Sequence, residues 1–537
     1  MFVGFAPAYA GSETPSGATY VAARSCANPV GAWAVTYDLA FVSDLTIADD
    51  GSIYATGDTD TTNASLDVFV IKLHPDGSQA WSQTFGGAGW DGGHGVAVGP
   101  DGNICVAGYF QLTVDFDPGE DLDERTAQGE FDAFVSRFAG DGTYQGTMII
   151  GGPDGRTTGS GIAIDGKGNL IVLGGFSGTA DFDPTDGVDT RTATRISNED
   201  TFDVFLTKLA PDGSYLWTRT FGGSGFDRAI AVRVDGDDNI FVYASFRGRV
   251  DFDPGEGEDI HTALVPDALF VTKLYPDGSY AWTRVLQVML SGGYDPIEVD
   301  ASGDVWIGGS LQGFLGFVDL DPTPEGLDVR IAQGADDVFV SKWHNDGSYG
   351  WTRTFSGTGS GGAFGVAPDS DGGVVVTGVF TNTMDFDPGP GVEQRTADIS
   401  GNVFLTKLNG AGSWVWTRTI DGSNNEYGQF LAFAADGGLV VAGDFYGRVD
   451  FDPGCALDER VSDSFDGYIA KLACVPVTPD SNADGVVNLL DFAALQNCFS
   501  GSAPTTCNPG CYQFDLDGDD DIDLVDFAVF QPILSGQ

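Results

Sequence analysis

The segment DVFLTKLAPDGSYLWTRTFGGSGFD at 203–227 recurs as DVFVIKLHPDGSQAWSQTFGGAGWD at 67–91, ALFVTKLYPDGSYAWTRV at 268–285, DVFVSKWHNDGSYGWTRTF at 337–355 and NVFLTKLNGAGSWVWTRTI at 402–420. A weaker copy, DAFVSRFAGDGTYQGTMIIGG, begins at Asp132 and carries Gly146 where the others carry tryptophan. Repetition constrains a fold more than composition does, because a small unit can bury its apolar faces only against its neighbours. Val204, Leu206 and Lys208 alternate with Phe205, Thr207 and Leu209, the period of a strand, and Pro-Asp-Gly-Ser supplies a hairpin turn. Each unit continues with a second pattern, VGPDGNICVAGYF at 98–110 or AADGGLVVAGDF at 434–445, and then with Asp-x-Asp-Pro. One unit of roughly 65 to 71 residues therefore reads as about four antiparallel strands.

Counted by the second pattern, the chain holds seven units, beginning with IADDGSIYATG at 47–57. Counted by the first, it holds six copies and the fragment FDGYIAKLA at 465–473, which matches the strand before the turn. GAWAVTYDLAF at 31–41 matches the strand after it, so the two chain ends complement each other. This predicts an all-β fold, a seven-bladed β-propeller closed by its N- and C-terminal strands. On the same register Cys474 takes the proline position after Lys471-Leu472 and Cys26 stands seven before Trp33, which predicts a Cys26–Cys474 disulfide in place of the missing turn. Cys105, within NICVAGY, is expected to be a buried free thiol.

With 78 acidic and 25 basic residues the chain carries a formal charge of −53, a field that repels nucleic acid and anionic membrane surfaces and argues against nucleic acid as a partner. No run reaches the roughly twenty apolar residues of a membrane span. The opening MFVGFAPAYAGSE ends in Ala8-Tyr9-Ala10, a pattern like a signal-peptidase site, and reads either as the remnant of a secretion signal or as an ordinary flexible terminus.

Asp-x-Asp-Pro occurs at Asp115/Asp117, Asp181/Asp183, Asp251/Asp253, Asp319/Asp321, Asp385/Asp387 and Asp450/Asp452. Residues two apart on a strand share a face, so each pair presents two carboxylates while the residue between points inward. Arg125, Arg191, Arg330, Arg395 and Arg460 follow, with His261 in the remaining copy. Three readings stand side by side: a hairpin end whose acids face the arginine of the returning strand, a weak calcium site, and a catalytic pair. The structural reading is favoured, because no third or fourth carboxylate keeps a fixed spacing. His74, His94, His261 and His344 fall in different units or different parts of one, and no G-x-S-x-G, H-E-x-x-H or phosphate loop occurs, so no catalytic residue is selected.

After Cys474 the pattern changes. Asp480, Asn482, Asp484, Asn488 and Asp491 place oxygen side chains at positions one, three, five, nine and twelve of a calcium loop, with Gly485 at the sharp turn and Val486 donating its carbonyl. Thirty-five residues later Asp515, Asp517, Asp519, Asp521, Asp523 and Asp526 repeat the loop. Ca²⁺ takes about six to eight oxygens, and these spacings wrap them around one ion per loop, two in all. Each loop runs into an apolar-periodic helix, LLDFAALQNCF or LVDFAVFQPIL, which must be ordered to bury its leucines and phenylalanines.

In its KL-x-PDG-S-x-x-W and D-G-x-x-x-V-x-G patterns the segment 28–474 resembles the secreted bacterial β-propeller repeat family, a likeness that bears on fold and not on activity. The duplicated loop and helix, with aspartate at position twelve, resembles a type I dockerin module. That resemblance implies a small α-helical domain folded around two calcium ions, a protein partner of the cohesin kind, and a secreted or cell-surface location. The module departs from the family at Asp520, where glycine is usual, and at Leu489-Leu490 and Leu524-Val525, where cohesin-reading dockerins often carry small hydroxyl residues; the partner is therefore cohesin-like or of another kind. In such a location Cys498 is expected to pair with Cys507 or Cys511. The expected organisation is an N-terminal segment 1–27, the propeller 28–474, a linker 475–479 and the calcium module 480–537. The expected function is that of an exported, non-catalytic binding or scaffold protein, associated with polysaccharide and attached through its calcium module. The alternative is a dockerin-bearing glycoside hydrolase or polysaccharide lyase.

Overall fold

The computed structural model describes residues 29–474 apart from 39, 61–64, 195–200, 290–296, 314–315, 325, 398–399 and 454–456, and beyond them residues 487, 489–498, 514, 522 and 524–535. Residues 1–27, the linker 475–479, Cys507 and Cys511 lie outside the described residues.

Each repeat unit forms antiparallel strands that pair in chain order. In one, Thr157–Ile164, Leu170–Phe176, Asp203–Leu209 and Tyr215–Phe221 make a four-stranded sheet. Ala40–Ile47 to Gln79–Phe85 and Arg228–Val234 to Tyr280–Met289 repeat the arrangement. Alternation of side chains along Asp203–Leu209 does not produce alternation of burial: all seven residues are buried, as are all seven of Leu170–Phe176. Both faces of the middle strands are covered by neighbouring sheets, so each strand contributes to two cores. Leu206 and Val204 belong to one apolar cluster, and Phe205 and Leu209 to the next.

The repeated Lys, Trp and Arg join one unit to the next. Trp81 Nε1 and Lys72 Nζ both donate to the Gly140 carbonyl, at 3.2 and 3.0 Å. Trp282 and Arg284 likewise donate to Asn345 O and Gly347 O, and Trp351 and Arg353 to Gly410 O and Gly412 O. Every acceptor lies in the tight turn of the following unit. That turn needs glycine for two reasons: at Gly142 φ is 88°, and a Cβ there would stand 2.8 Å from the Trp81 ring. The lysine is neutralised where it is buried, Lys208 by Asp165 at 2.8 Å and Lys407 by Asp369 at 2.8 Å, with both acids coming from the Asp-Gly turn of the same sheet.

The Asp-x-Asp-Pro segments form short hairpins attached to the outermost strand of the preceding unit. Thr179–Asp181 pairs with Thr190–Thr192 and with Tyr144–Asp154, Gly151 opposite Asp181. Thr383–Asp385 extends Tyr349–Gly357 in the same way. Such attachments enlarge four-stranded units into six- and eight-stranded sheets.

Two expectations are corrected here. The strands fall into separate sheets of two to eight strands, each open at its ends, the eight-stranded one branched where Glu426–Phe433 pairs with Leu439–Asp450, and none is closed or curled. The seven-bladed propeller as a closed fold is therefore not what the hydrogen bonding forms. Pro29–Tyr37 pairs antiparallel with Glu459–Cys474, Pro29 opposite Cys474, and this pairing adds an edge strand to the eight-stranded sheet rather than closing a ring. The physical reason is that a repeat fixes the ladder within a unit through its own hairpins, whereas units meet mainly through side chains and turns, with only the short Asp-x-Asp-Pro hairpins carrying backbone pairing from one unit to the next. The second correction concerns disulfides: among the described residues no bridge joins two cysteines. Cys105 is a buried free thiol, as expected; Cys474 and Cys498 are not free thiols, but the cysteines expected to pair with them, Cys26 and Cys507 or Cys511, lie outside the described residues.

Candidate functional site

In six units the first strand carries the same irregularity, whereas Ile297–Val299 pairs with Val305–Ile307 without one. Pairing with the second strand skips one residue between Val42 and Asp44, Gly93 and Gly95, Gly159 and Gly161, Ala229 and Ala231, Ala363 and Gly365, and Gly428 and Phe430. The residues left out of the ladder are Ser43, His94, Ser160, Ile230, Phe364 and Gln429. A bulge re-aims the extra side chain, and five of these six line one cavity of about 430 Å³. Small residues beside the bulge permit the approach of strands from different units: a Cβ on Gly95 would stand 2.9 Å from Gly161 Cα.

Around the bulge residues the cavity is walled by Phe41, Phe202, Phe226 and Phe430 and by polar Tyr109, Thr158, Arg228 and Asp444. Phe41 and Phe226 keep about two-fifths of their surface exposed, 41% and 38%, whereas Phe430 is buried. Tyr109 stacks edge-on against His94 with ring centroids 5.0 Å apart. Burial, helped by the Arg228 charge, holds the His94 imidazolium down to about 4, so the ring is neutral at neutral pH. Asp227 is committed to the fold, its two oxygens accepting from Gly223 N at 2.9 Å and Arg247 N at 3.0 Å. Asp444 is different: Oδ2 accepts from Gln429 Nε2 at 2.8 Å and the Val42 N–H lies against the carboxyl, while Asp444 Oδ1 and Gln429 Oε1 are buried without a partner at hydrogen-bond distance and angle. Burial pushes Asp444 up to about 7, and burial together with the nearby Asp444 does the same to Asp58, whose Oδ1 accepts from Gly93 N at 3.1 Å.

Sequence reasoning missed this cavity. The signal was present in the alignment of repeat copies: in SDLTI, HGVAV, SGIAI, IAVRV, FGVAP and QFLAF the first residue ranges over Ser, His, Ile, Phe and Gln, while most of the following positions are small or apolar, Asp44 and Arg233 being the charged exceptions. A position that varies within a conserved scaffold is where one unit can differ from another in function.

Of the residues expected to bind calcium, Asp480, Asn482, Asp484, Val486 and Asn488 in the first loop and Asp515, Asp517, Asp519, Asp521 and Asp523 in the second lie outside the described residues. Asp491 and Asp526 are described, each fully buried in the first turn of a helix, Leu489–Cys498 and Leu524–Ser535. The helices share a core of Leu495, Phe514, Ile522 and Phe530, with Phe492 and Phe527 rings 5.6 Å apart. A carboxylate buried at a helix N-terminus fits the helix dipole and the last ligand position of an oxygen-only calcium loop. Leu489 and Leu490, at 73% and 68% exposure, face outward.

The Asp-x-Asp pairs are turn-forming groups. Asp181 Oδ1 accepts from Asp183 N and Asp189 N at 3.1 and 2.9 Å, and Asp183 Oδ1 accepts from Thr185 N at 3.0 Å. The same contacts recur at Asp115, Asp251, Asp319, Asp385 and Asp450. The intervening Phe116, Phe182, Phe252, Leu320, Phe386 and Phe451 are buried, as the pattern implied. The arginine does not face the Asp-x-Asp acids: Arg191 pairs at 2.9 Å with Asp189, two residues before it at the hairpin turn, and Arg125, Arg330 and Arg460 likewise pair with Asp123, Asp328 and Asp458.

Comparison with known proteins bears on the two regions unequally. Residues 478–534 match the family of the dockerin type I domain. Over 486 residues the chain is 22% identical to a WD repeat-containing protein of Acanthamoeba polyphaga mimivirus, covering 77% of this chain and 34% of the relative. Over 508 residues it is 23% identical to the regulatory protein FlaEY of Caulobacter vibrioides, covering 86% and 49%. The chain thus spans a third to a half of the length of these curated relatives. Among solved structures, a gluconolactonase of Xanthomonas campestris aligns at 13% identity and a TM-score of 0.28, over 82% of this chain and 98% of the other. The protein is a largely β-sheet chain that ends in a dockerin-like domain.

Proposed function

We propose that the chain is an exported, non-catalytic binding component, with a cavity in its sheet region that holds a small polar ligand and a dockerin module that attaches it to a protein partner. The observation that carries the reading is the convergence of five bulge residues of four kinds, one from each of five units, on one cavity of about 430 Å³. That volume falls within the roughly 300–1,000 Å³ of small-molecule sites. In the tail, Asp480, Asn482, Asp484, Val486, Asn488 and Asp491 would hold one calcium ion, and Asp515, Asp517, Asp519, Asp521, Asp523 and Asp526 a second. The exposed Leu489-Leu490 pair supports a partner that offers an apolar patch, cohesin-like or otherwise. The match to a dockerin family supports a secreted or surface location. Pull-down of surface proteins by the whole chain tests the attachment: calcium-dependent capture that Leu489→Ser with Leu490→Thr abolishes is expected, and capture indifferent to both calcium and these substitutions would sink it.

A second reading, a carbohydrate-active enzyme, is favoured by one observation. Asp444 and Asp58, both near 7, are carboxyls that keep a proton close to neutral pH, as a general acid must. Turnover of a polysaccharide that Asp444→Asn abolishes while binding persists would establish that reading in place of the first.

A further inference from the structure

The cavity's chemistry is divided between its floor and its rim. On the floor, Gln429 is 1% and Asp444 6% exposed, and each presents an oxygen without a hydrogen-bond partner. A buried acceptor left unmade costs about 1–3 kcal/mol, so the pair is stabilised by any ligand that brings hydroxyl donors. The two are tied together by the Gln429 Nε2 to Asp444 Oδ2 bond of 2.8 Å, which fixes both side chains and leaves Gln429 Oε1 and Asp444 Oδ1 buried and unpartnered behind the cavity wall, so that a ligand reaches them by a small shift of the pair. At the rim stand the exposed faces of Phe41 and Phe226, the exposed Arg228, and the hydroxyls of Thr158 and Ser160. Phe226 is held by Phe202, ring centroids 5.2 Å apart, and by the Arg247 guanidinium 5.9 Å from its centroid.

We infer that the ligand of this cavity is a neutral saccharide unit, with hydroxyls donating to Gln429 Oε1 and Asp444 Oδ1 and its C–H face lying on Phe226 or Phe41. The inference rests on the reading of the cavity as a ligand site and narrows it to one class. A pyranose combines an apolar face with a fringe of hydroxyls that both donate and accept, and it matches a cavity holding phenyl rings, acceptors and the donors Arg228 and Tyr109 together. An amine could donate to both acceptors and would be drawn by the acidic field, but it would bring its charge against Arg228 and leave the phenyl faces uncovered. An anionic sugar would gain from Arg228 but would approach against the field of a chain with formal charge −53.

The test is binding of the full chain, in calcium, to an array of neutral oligosaccharides, with hits measured by titration calorimetry beside a library of amino acids, nucleotides and organic acids. A neutral saccharide is expected to bind, with affinity falling about tenfold or more in Gln429→Leu and in Phe226→Ala. Phe226 is partly exposed, so its variant keeps the test open if Gln429→Leu fails to fold. If a non-saccharide binds and Gln429→Leu removes it, the saccharide class is wrong and the ligand site stands. If a saccharide binds equally to wild type and both variants, or nothing in either set binds, the cavity is not the site and both readings fall.

Discussion

The sheet region and the calcium module are both crowded with aspartate, and they accommodate it by opposite means. In the sheets a carboxylate is held by backbone N–H groups or by a cation supplied by the chain: Asp181 accepts two N–H groups, Asp369 meets Lys407, and Asp189 meets Arg191. The cores beside them, such as the cluster around Phe355, Phe380, Phe386 and Phe404, are large. Among the described residues of the module the core consists of Leu495, Phe514, Ile522, Phe530 and a few partly buried neighbours. Twelve ligand positions there have no matching set of lysines and arginines, since none of the chain's basic residues lies beyond Lys471. A domain with so small a core and so much like charge needs an external cation to fold. Acidic composition therefore has no single structural meaning; what neutralises it decides.

Three measurements would break or sharpen this contrast. Calcium removal should have the largest effect. Linkage gives about 4 kcal/mol per ion at a free concentration one thousand times the dissociation constant, so EGTA should abolish the helical circular dichroism of the module while the sheet signal persists. Helicity that survives chelation would refute the two-ion reading.

Next come two substitutions at the Asp-x-Asp-Pro hairpins. Phe386 is fully buried, with rings of Phe355, Phe380 and Phe404 at 5.6, 5.2 and 5.0 Å, so Phe386→Ala should cost about 3–5 kcal/mol in urea denaturation. Arg125→Ala removes a half-exposed ion pair with Asp123 and should cost less than about 1 kcal/mol. A reversed order would mean that the hairpins are held by their charges and not by the buried aromatic.

The smallest effect is in pH, and its sign should differ between the regions. Burial raises Asp58, Asp227 and Asp444 to about 7 and Asp44, Asp91 and Asp203 to about 6, above the unfolded value of 3.8. A raised folded pKa means that the folded state holds the proton more tightly, so this stability is present below pH 4 and is lost as pH rises through 6 to 7. Asp165 is lowered instead: burial alone would raise it, but the Lys208 ion pair and the Asn169 hydrogen bonds outweigh that, so its contribution is lost as pH falls below 3.8. His94, held down to about 4 from 6.5, opposes the main trend between those values, one group against six. The sheet melting temperature should therefore fall between pH 5 and pH 8, whereas the calcium module, whose ligands must be ionised, should gain stability over acidic to neutral pH. Differential scanning calorimetry at fixed calcium that showed both transitions moving together would remove the contrast.

Much of this molecule was legible before any coordinates. Alternation in DVFLTKL, glycine in the tight turn and the buried residue of Asp-x-Asp-Pro are local or nearest-neighbour properties, and they recur with each copy. The pairing of an arginine with the acid two residues before it was missed, because either of two acids lies within reach and only the hairpin's geometry selects one. Strands, turns, the repeat and the calcium-loop spacing were determined by the sequence itself, since each depends on residues within a few positions of one another. Whether the sheets join into one closed body, and which side chains meet in a common cavity, was decided by the tertiary structure. Ser43, His94 and Gln429 lie up to 386 positions apart, from 43 to 429, and what brings them together is the stacking of separate sheets and one extra residue in the strand of each.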